Sequence, residues 1–225
     1  MSHDDFNAIW LSLHLASVTT VILLILGTPL AWWLARSSSK LAAAVEAVVA
    51  LPLVLPPTVL GFYLLVAFSP DSAFAKFWMV TTGDSLSFSF DALVIASVIY
   101  SLPFVVQPLQ SSFAQVSEGL LEAAKTMGAD FIDRFFSVVF PLCKRSFLAA
   151  ATLGFAHTIG EFGVVLMIGG NIPGETQVLS IALYDRVESL NYPAAHTMAA
   201  GLLVFSFLAL LLVYGLNRRG LWRNA

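Results

Sequence analysis

Charge is scarce in this chain. Only 11% of its 225 residues are charged, against 58% that are hydrophobic, and the mean hydropathy is +0.85. A soluble domain carries about 25% charged residues. This much apolar surface cannot hide in one water-exposed core, so the composition places the chain in lipid. Cysteine is scarcer still. The single Cys143 excludes an intramolecular disulfide framework, and no CxxC or Cys/His spacing suggests a metal site. HExxH and GxSxG are absent, and no pair of aspartates falls within an apolar segment, which leaves a membrane-embedded hydrolase without support. Repeats, low-complexity runs and a separate soluble domain are missing too. The start, Met1 to Asp5, is acidic and lacks the basic region of a signal peptide. The apolar stretch after it is too long to be cleaved, so it reads as a retained span.

What is present is five long apolar segments, near 9–34, 47–68, 92–109, 147–169 and 194–216. Each can cross a bilayer, which takes about 20 residues. Each must be helical, because an open strand edge cannot stand in hydrocarbon. The expected fold is therefore all-α, a polytopic bundle of five transmembrane helices forming a single domain over 1–225. The net charge of −3 matters less than its distribution. Nine of the eleven basic residues fall on one side: Arg36 and Lys40 after the first segment, Lys125, Arg134, Lys144 and Arg145 after the third, and Arg218, Arg219 and Arg223 after the fifth. Only Lys76 and Arg186 fall on the other. The positive-inside rule then puts the N-terminus outside and the C-terminus in the cytoplasm.

These segments are more than anchors. The second carries Pro52, Pro56 and Pro57. Each proline removes a backbone donor and crowds the preceding turn, so a kink or break is expected. The third ends with Pro103 and Pro108. The fourth holds His157, Glu161 and the pair Gly160 and Gly163. Such features suit a moving or pore-lining helix, although a static bundle can also contain kinks. Glu161 is the only carboxylate deep in a segment, and an intramembrane acid is a functional candidate by default. It is expected to be hydrogen-bonded between helices, with His157 as a candidate partner and with Gly160 and Gly163 allowing close packing. A direct ligand role is the alternative. The segments themselves contain no Lys or Arg.

The polar loop of about 110–146 is the most distinctive part. Ser117 can cap a helix in which Leu120, Ala124 and Met127 share one face and Glu118, Glu122 and Lys125 another. Glu122 and Lys125 can pair at i, i+3. Gly128 ends it as a left-handed cap. Asp130 can cap a second helix with an apolar stripe of Ile132, Phe135, Phe136 and Val139, which Pro141 ends or bends. By spacing alone the two helices could receive a partner or lie on the membrane surface. On the other side, Pro173-Gly174 marks a turn within the run from Asn171 to Thr176. Beyond it, Val178, Ile181 and Ala182 recur at helical spacing, as in a short surface helix outside the membrane.

Glu122-Ala123-Ala124, Gly128 six residues after the Glu, and the downstream Pro141-Leu142 resemble the cytoplasmic EAA loop of bacterial ABC importer permeases. Three further runs are similar to signatures of the molybdate permeases within that group: Leu-Pro-Leu-Val-Leu-Pro-Pro-Thr-Val-Leu-Gly from Leu51, Gly-Glu-Phe-Gly-Val-Val from Gly160, and Gly-Gly-Asn-Ile-Pro-Gly-Glu-Thr from Gly169. Permeases for sulfate and tungstate share much of this pattern and remain alternatives. The resemblance implies a type I importer permease fold and a homodimer around a central path. Two ATPase subunits would dock through Glu122, Ala123, Ala124, Gly128 and Pro141. A molybdate-binding protein would dock outside, near Asn171, Pro173 and Gly174. The path or its packing would involve Pro56, Pro57, Gly160, Glu161 and Gly163. No cofactor is expected in this chain and no nucleic-acid partner. The chain lacks a Walker A pattern, so ATP and Mg²⁺ would belong to the ATPase partner. A gradient-driven transporter with Glu161 and His157 as a proton relay is the rival from another class, but no inverted repeat supports it.

Overall fold

A computed structural model describes residues 3–218, with side chains from Asp5 to Gly215. Arg219 and Arg223, counted above for orientation, lie outside the described residues, as do Met1 and Ser2. The described chain is wholly helical. In order, the helices are α1 (His3–Arg36), α2 (Lys40–Val54), α3 (Pro57–Phe68), α4 (Ala73–Thr82), α5 (Phe90–Ala114), α6 (Glu118–Thr126), α7 (Phe131–Arg134), α8 (Phe140–Gly160), α9 (Gly163–Gly169), α10 (Leu179–Glu188) and α11 (Tyr192–Arg218). A π-helical turn, Phe135–Val139, joins α7 to α8 without a break.

Among the described residues, four stretches are long and apolar enough to cross a membrane: Asp5–Arg36, Phe90–Ala114, Phe131–Gly160 and Tyr192–Gly215. The fifth expected span is a broken pair. α2 and α3 meet at 113° around Leu55 and Pro56. The cause is local. Pro56 and Pro57 have no N–H to extend the hydrogen bonding of α2, while Pro57 sits at the first position of α3, where a missing donor costs nothing.

The fourth span differs from its expected bounds of 147–169. Its helix begins earlier, at Phe131, and stops at Gly160. Pro141 neither ends it nor bends it away. It cannot bond to the carbonyl four residues back, and the π turn just before it, in which the Phe140 N–H reaches the Phe135 carbonyl, takes up the mismatch. Arg134, Lys144 and Arg145 therefore lie within one continuous helix, ahead of its apolar part. At the far end Glu161 turns extended, with ψ 130°, and α9 starts afresh. No proline stands at this second break. Tertiary contacts hold it: the Ser180 hydroxyl donates to the Glu161 carbonyl, and Gly163 lies against Pro57 of α3, so close that a β-carbon there would sit 2.8 Å from the proline Cβ.

α1, α5 and α8 pack on one another and form the centre. One apolar cluster joins Leu15, Phe68, Leu93, Val164, Ile168 and Ile181; a second joins Leu23, Val105, Leu109, Phe113, Val139 and Ala150. α11 packs on α8 and α10 and leaves Leu203, Phe207, Leu211 and Tyr214 exposed. α4 falls in the connection between the second and third apolar segments. Its signals were legible: the Ser72 hydroxyl accepts from the Ala75 N–H, and Gly83 closes the helix at φ 84°. α10 exists as the spacing suggests, with Tyr184, Val187 and Glu188 exposed and its apolar face turned inward. Val178, Ile181 and Ala182 are buried against the bundle.

Candidate coupling surface, interior break and outer loop

The two ends of the bundle are built differently. At the end carrying Arg36, α5 gives way to α6. Ser117 has cap geometry but its hydroxyl makes no capping bond. α6 closes as expected. Gly128 adopts φ +92°, its N–H bonds to the Lys125 carbonyl, and the Ala129 N–H reaches the Ala124 carbonyl. These two bonds form a Schellman motif, which requires a residue at ease with positive φ. Asp130 then caps α7 by accepting from the Asp133 N–H at 2.7 Å. Glu122 and Lys125 do not pair; the ion pairs among the described residues are Arg36–Glu118 and Arg186–Asp5.

No residue of α6 is buried. Leu120, Met127, Phe131, Ile132 and Phe136 are all exposed, Met127 at 87%. The expected stripe of the second helix is split. Val139 is buried and Phe135 packs on the core, whereas Ile132 and Phe136 point away from it. What remains is a set of exposed apolar side chains along α6, α7 and the π turn, with Glu118, Glu122 and Lys125 also on α6. Exposed apolar side chains in such number suit a surface that meets a partner.

In the interior, Glu161 is 3% exposed, and the side chain its carboxylate meets is the buried Ser97 hydroxyl of α5. Its backbone carbonyl is tied to α10. His157 is not its partner. The imidazole Nδ1 lies 2.9 Å from the Ser101 hydroxyl, and the ring stacks on Phe104 at 3.9 Å between centroids. The Thr158 hydroxyl, 3.1 Å from the same Ser101, donates to the Gly154 carbonyl. Ser101 and Thr158 were not singled out from the sequence. Hydroxyls in apolar helices are common, and only the crossing of α5 with α8 shows which ones meet. Gly163 is a close-packing position, but Gly160 is not, having no atom within 4 Å of a β-carbon placed on it.

At the opposite end the chain leaves α9 through a tight turn. Pro173 and Gly174 (φ +81°) are its central residues, and the Glu175 N–H bonds to the Ile172 carbonyl at 3.2 Å. This is a type II turn, with proline and glycine in the positions that favour them. The buried Thr176 hydroxyl donates to the Gly169 carbonyl at 2.6 Å and accepts from the Ile172 N–H at 3.0 Å. Asn171, itself at φ +60°, donates to both oxygens of Asp185 at 3.1 and 3.0 Å. Gln177 donates to Asn171 and to Asp185. Pro173, Gly174 and Glu175 are thereby held out to solvent on a fixed frame. Nearby, Arg186 bonds to Asp5 of α1 at 2.8 Å.

This all-helical arrangement has solved counterparts. A chain of a bacterial ABC transporter involved in the import of the acidic polysaccharide alginate aligns over 97% of this chain and 80% of its own, with a TM-score of 0.73 and 17% identity. A chain of the MetNI methionine ABC transporter in an inward-facing form aligns over 97% and 99%, with a TM-score of 0.70 and 19% identity. At such identities the likeness is one of fold, the fold of type I ABC importer permeases. The sequence itself decides the family. Residues 27–220 match the model of the binding-protein-dependent transport system inner membrane component. The chain belongs to this family. It is 55% identical over 218 residues to the molybdenum transport system permease protein ModB of Azotobacter vinelandii, covering 97% of this chain and 96% of that one. It is 35% identical to ModB of Haemophilus influenzae, covering 96% and 94%. It is also 34% identical to the sulfate transport system permease protein CysT of Synechocystis, covering 87% and 68%. As a family member, this inner membrane component works with substrate-binding and ATP-hydrolysing partners and is not itself the catalyst.

Proposed function

We propose that the chain is the membrane-spanning permease of an ATP-driven molybdate importer. The observation that carries this reading is the 55% identity to a molybdenum permease along almost the whole of both chains. The sulfate relative is more distant and matches less of its own length. Two copies would enclose the path, each receiving an ATPase subunit at α6, with ATP and Mg²⁺ on that partner. A molybdate-binding protein would dock at the turn of Pro173 and Gly174. The bias of basic residues supports a cytoplasmic Arg36 end and an external Asp5 end, in the bacterial inner membrane.

On this reading the exposed set of Leu120, Met127, Ile132 and Phe136, with Glu122 on α6, is where the ATPase pushes. Closure of the ATPases draws the two α6 helices together and opens the bundle outward, an alternation between two states. The breaks at Pro56 and Glu161, which meet through Gly163 and Pro57, are where helices can change direction. The basic side chains of α8 stop before its apolar part, so an oxyanion meets no fixed cation within the core. Passage then relies on small and hydroxyl side chains, and the binding protein supplies most of the selectivity. A proton-relay transporter has lost its support, since His157 engages Ser101 rather than Glu161.

Uptake by vesicles holding the full complex tests the cargo, with molybdate, tungstate and sulfate compared at equal concentration. Faster ATP-dependent uptake of sulfate than of molybdate would overturn the assignment. Reporter fusions test orientation: a cytoplasmic signal after Glu175 would reverse it. Gly128→Leu strains the helix cap by about 1 kcal/mol, and Glu122→Lys inverts charge on the docking face. Both are expected to insert normally, to recover less ATPase on co-purification and to lose uptake.

A further inference from the structure

The leading end of α6 is not held by α6. Its cap residue, Ser117, makes no capping bond, and the helix buries none of its own residues. Besides the partly buried Leu121, which packs on the core, it is held by Arg36, 80 positions before Val116. Arg36, in the last turn of α1, is partly buried, and its Nη2 donates to the Val116 carbonyl at 2.8 Å and to the Phe113 carbonyl at 3.3 Å. Its Nη1 lies 3.6 Å from Glu118, the first residue of α6. Phe113 is in the last turn of α5, where positive charge is favoured, and its carbonyl also accepts from the Val116 N–H at 3.2 Å; Val116 follows just past the helix. The same guanidinium sits 4.9 Å over the ring of Trp32, one turn earlier on α1. Trp32 in turn meets Phe113 edge-on at 5.4 Å and Phe135 of the π turn at 6.5 Å. One turn of α1 thus touches the chain both before α6 and after α7.

We infer that Arg36 is a positioning residue, fixing the leading end of α6 against α1 and α5 so that a push on α6 reaches the bundle instead of bending the chain at Ser117. The planar fork matters here, because one guanidinium serves two carbonyls and a carboxylate while sitting over an indole. A lysine can keep the charge and one carbonyl but not the rest. The importance of the push rests on the docking reading above, whereas the hold on α6 does not.

The test has two arms. In the first, the full-length permease with Cys143→Ser carries a spin label at Met127→Cys, and label mobility is read in lipid nanodiscs without ATPase. Arg36→Ala is expected to shorten the rotational correlation time at least about twofold, and Arg36→Lys to fall between; losing two charge-assisted bonds is enough to populate a second orientation of α6. In the second arm, the assembled importer is assayed for molybdate taken up per ATP hydrolysed. Arg36→Ala is expected to lower that ratio about tenfold while ATPase recovery stays within about twofold, and Arg36→Lys to restore part of it. Unchanged mobility in Arg36→Ala overturns the inference whatever transport does. Raised mobility with an unchanged uptake ratio overturns its mechanical half. If Arg36→Ala does not fold, Arg36→Lys and Trp32→Leu carry the same comparison, and wild-type mobility in both overturns the inference. Failure of the docking reading is seen elsewhere, as normal ATPase recovery and uptake in Glu122→Lys.

Discussion

The loop of α6 and α7 and the loop after α9 connect helices at opposite ends of one bundle, and they are finished in opposite ways. The first exposes Leu120, Met127, Ile132 and Phe136, and it rests on the core through Leu121 and on Arg36. The second spends its polar groups on itself, through Thr176 to Gly169 and Ile172 and through Asn171 and Gln177 to Asp185. A surface left apolar is one whose stability is completed by another molecule. A loop that satisfies its own polar groups presents a shape already formed, which lowers the ordering cost of binding. On the proposed reading, one end would be moved by its partner and the other would be recognised by one.

The sharpest way to break this contrast is Ile132→Asp. Removing an exposed apolar anchor should lower ATPase recovery on co-purification at least about tenfold, a hot-spot effect of roughly 2 kcal/mol, with the melting temperature of the permease unchanged. A lower melting temperature would mean that this apolar surface already supports the fold. Thr176→Val should do the reverse. It keeps the shape but strands a buried carbonyl and N–H, at a cost of about 1–3 kcal/mol, which thermal unfolding in detergent would register as a loss of about 2–4 °C for each kcal/mol. Asp185→Asn is milder, because it removes charge from an acceptor of three hydrogen bonds. About 1 kcal/mol, or roughly a fivefold weaker affinity for the molybdate-binding protein, is expected by titration, with ATPase recovery intact. Smallest of all is Glu118→Gln. Its carboxylate is 85% exposed and its ion pair is long, so neither uptake nor label mobility should change measurably. A clear effect there would shift the role of Arg36 from the carbonyls of α5 to the acid of α6.

Much of this architecture could be read from residue order alone. The apolar segments, the cap at Gly128 and the turn at Pro173 all follow from local chemistry, as does the break at Pro56, since proline cannot extend the hydrogen bonding of the helix before it. The second break could not be foreseen. At Glu161 nothing local forbids a helix; Ser180 and Pro57 hold it open, and both come from distant parts of the chain. The same holds for Arg36, which reads as an orienting charge until its acceptors on α5 are seen. α10 was legible as a helix, but spacing shows only that residues share a face and not what that face meets. The burial of Val178 and Ile181 depends on the bundle behind them.

The unbroken run from Phe131 to Gly160 has a mechanical meaning. At 1.5 Å per residue it is a rod of about 44 Å, with Ile132 at one tip and the turn into Glu161 at the other. Val139, Cys143 and Ala150 seat it in the core partway along, where a fulcrum would be. A tilt of only about 5° about its midpoint would swing each tip by about 2 Å, in opposite directions. The π turn lets the rod pass its proline without breaking, so torque applied beside α6 would arrive, undiminished by a hinge, where α9 leans on α3.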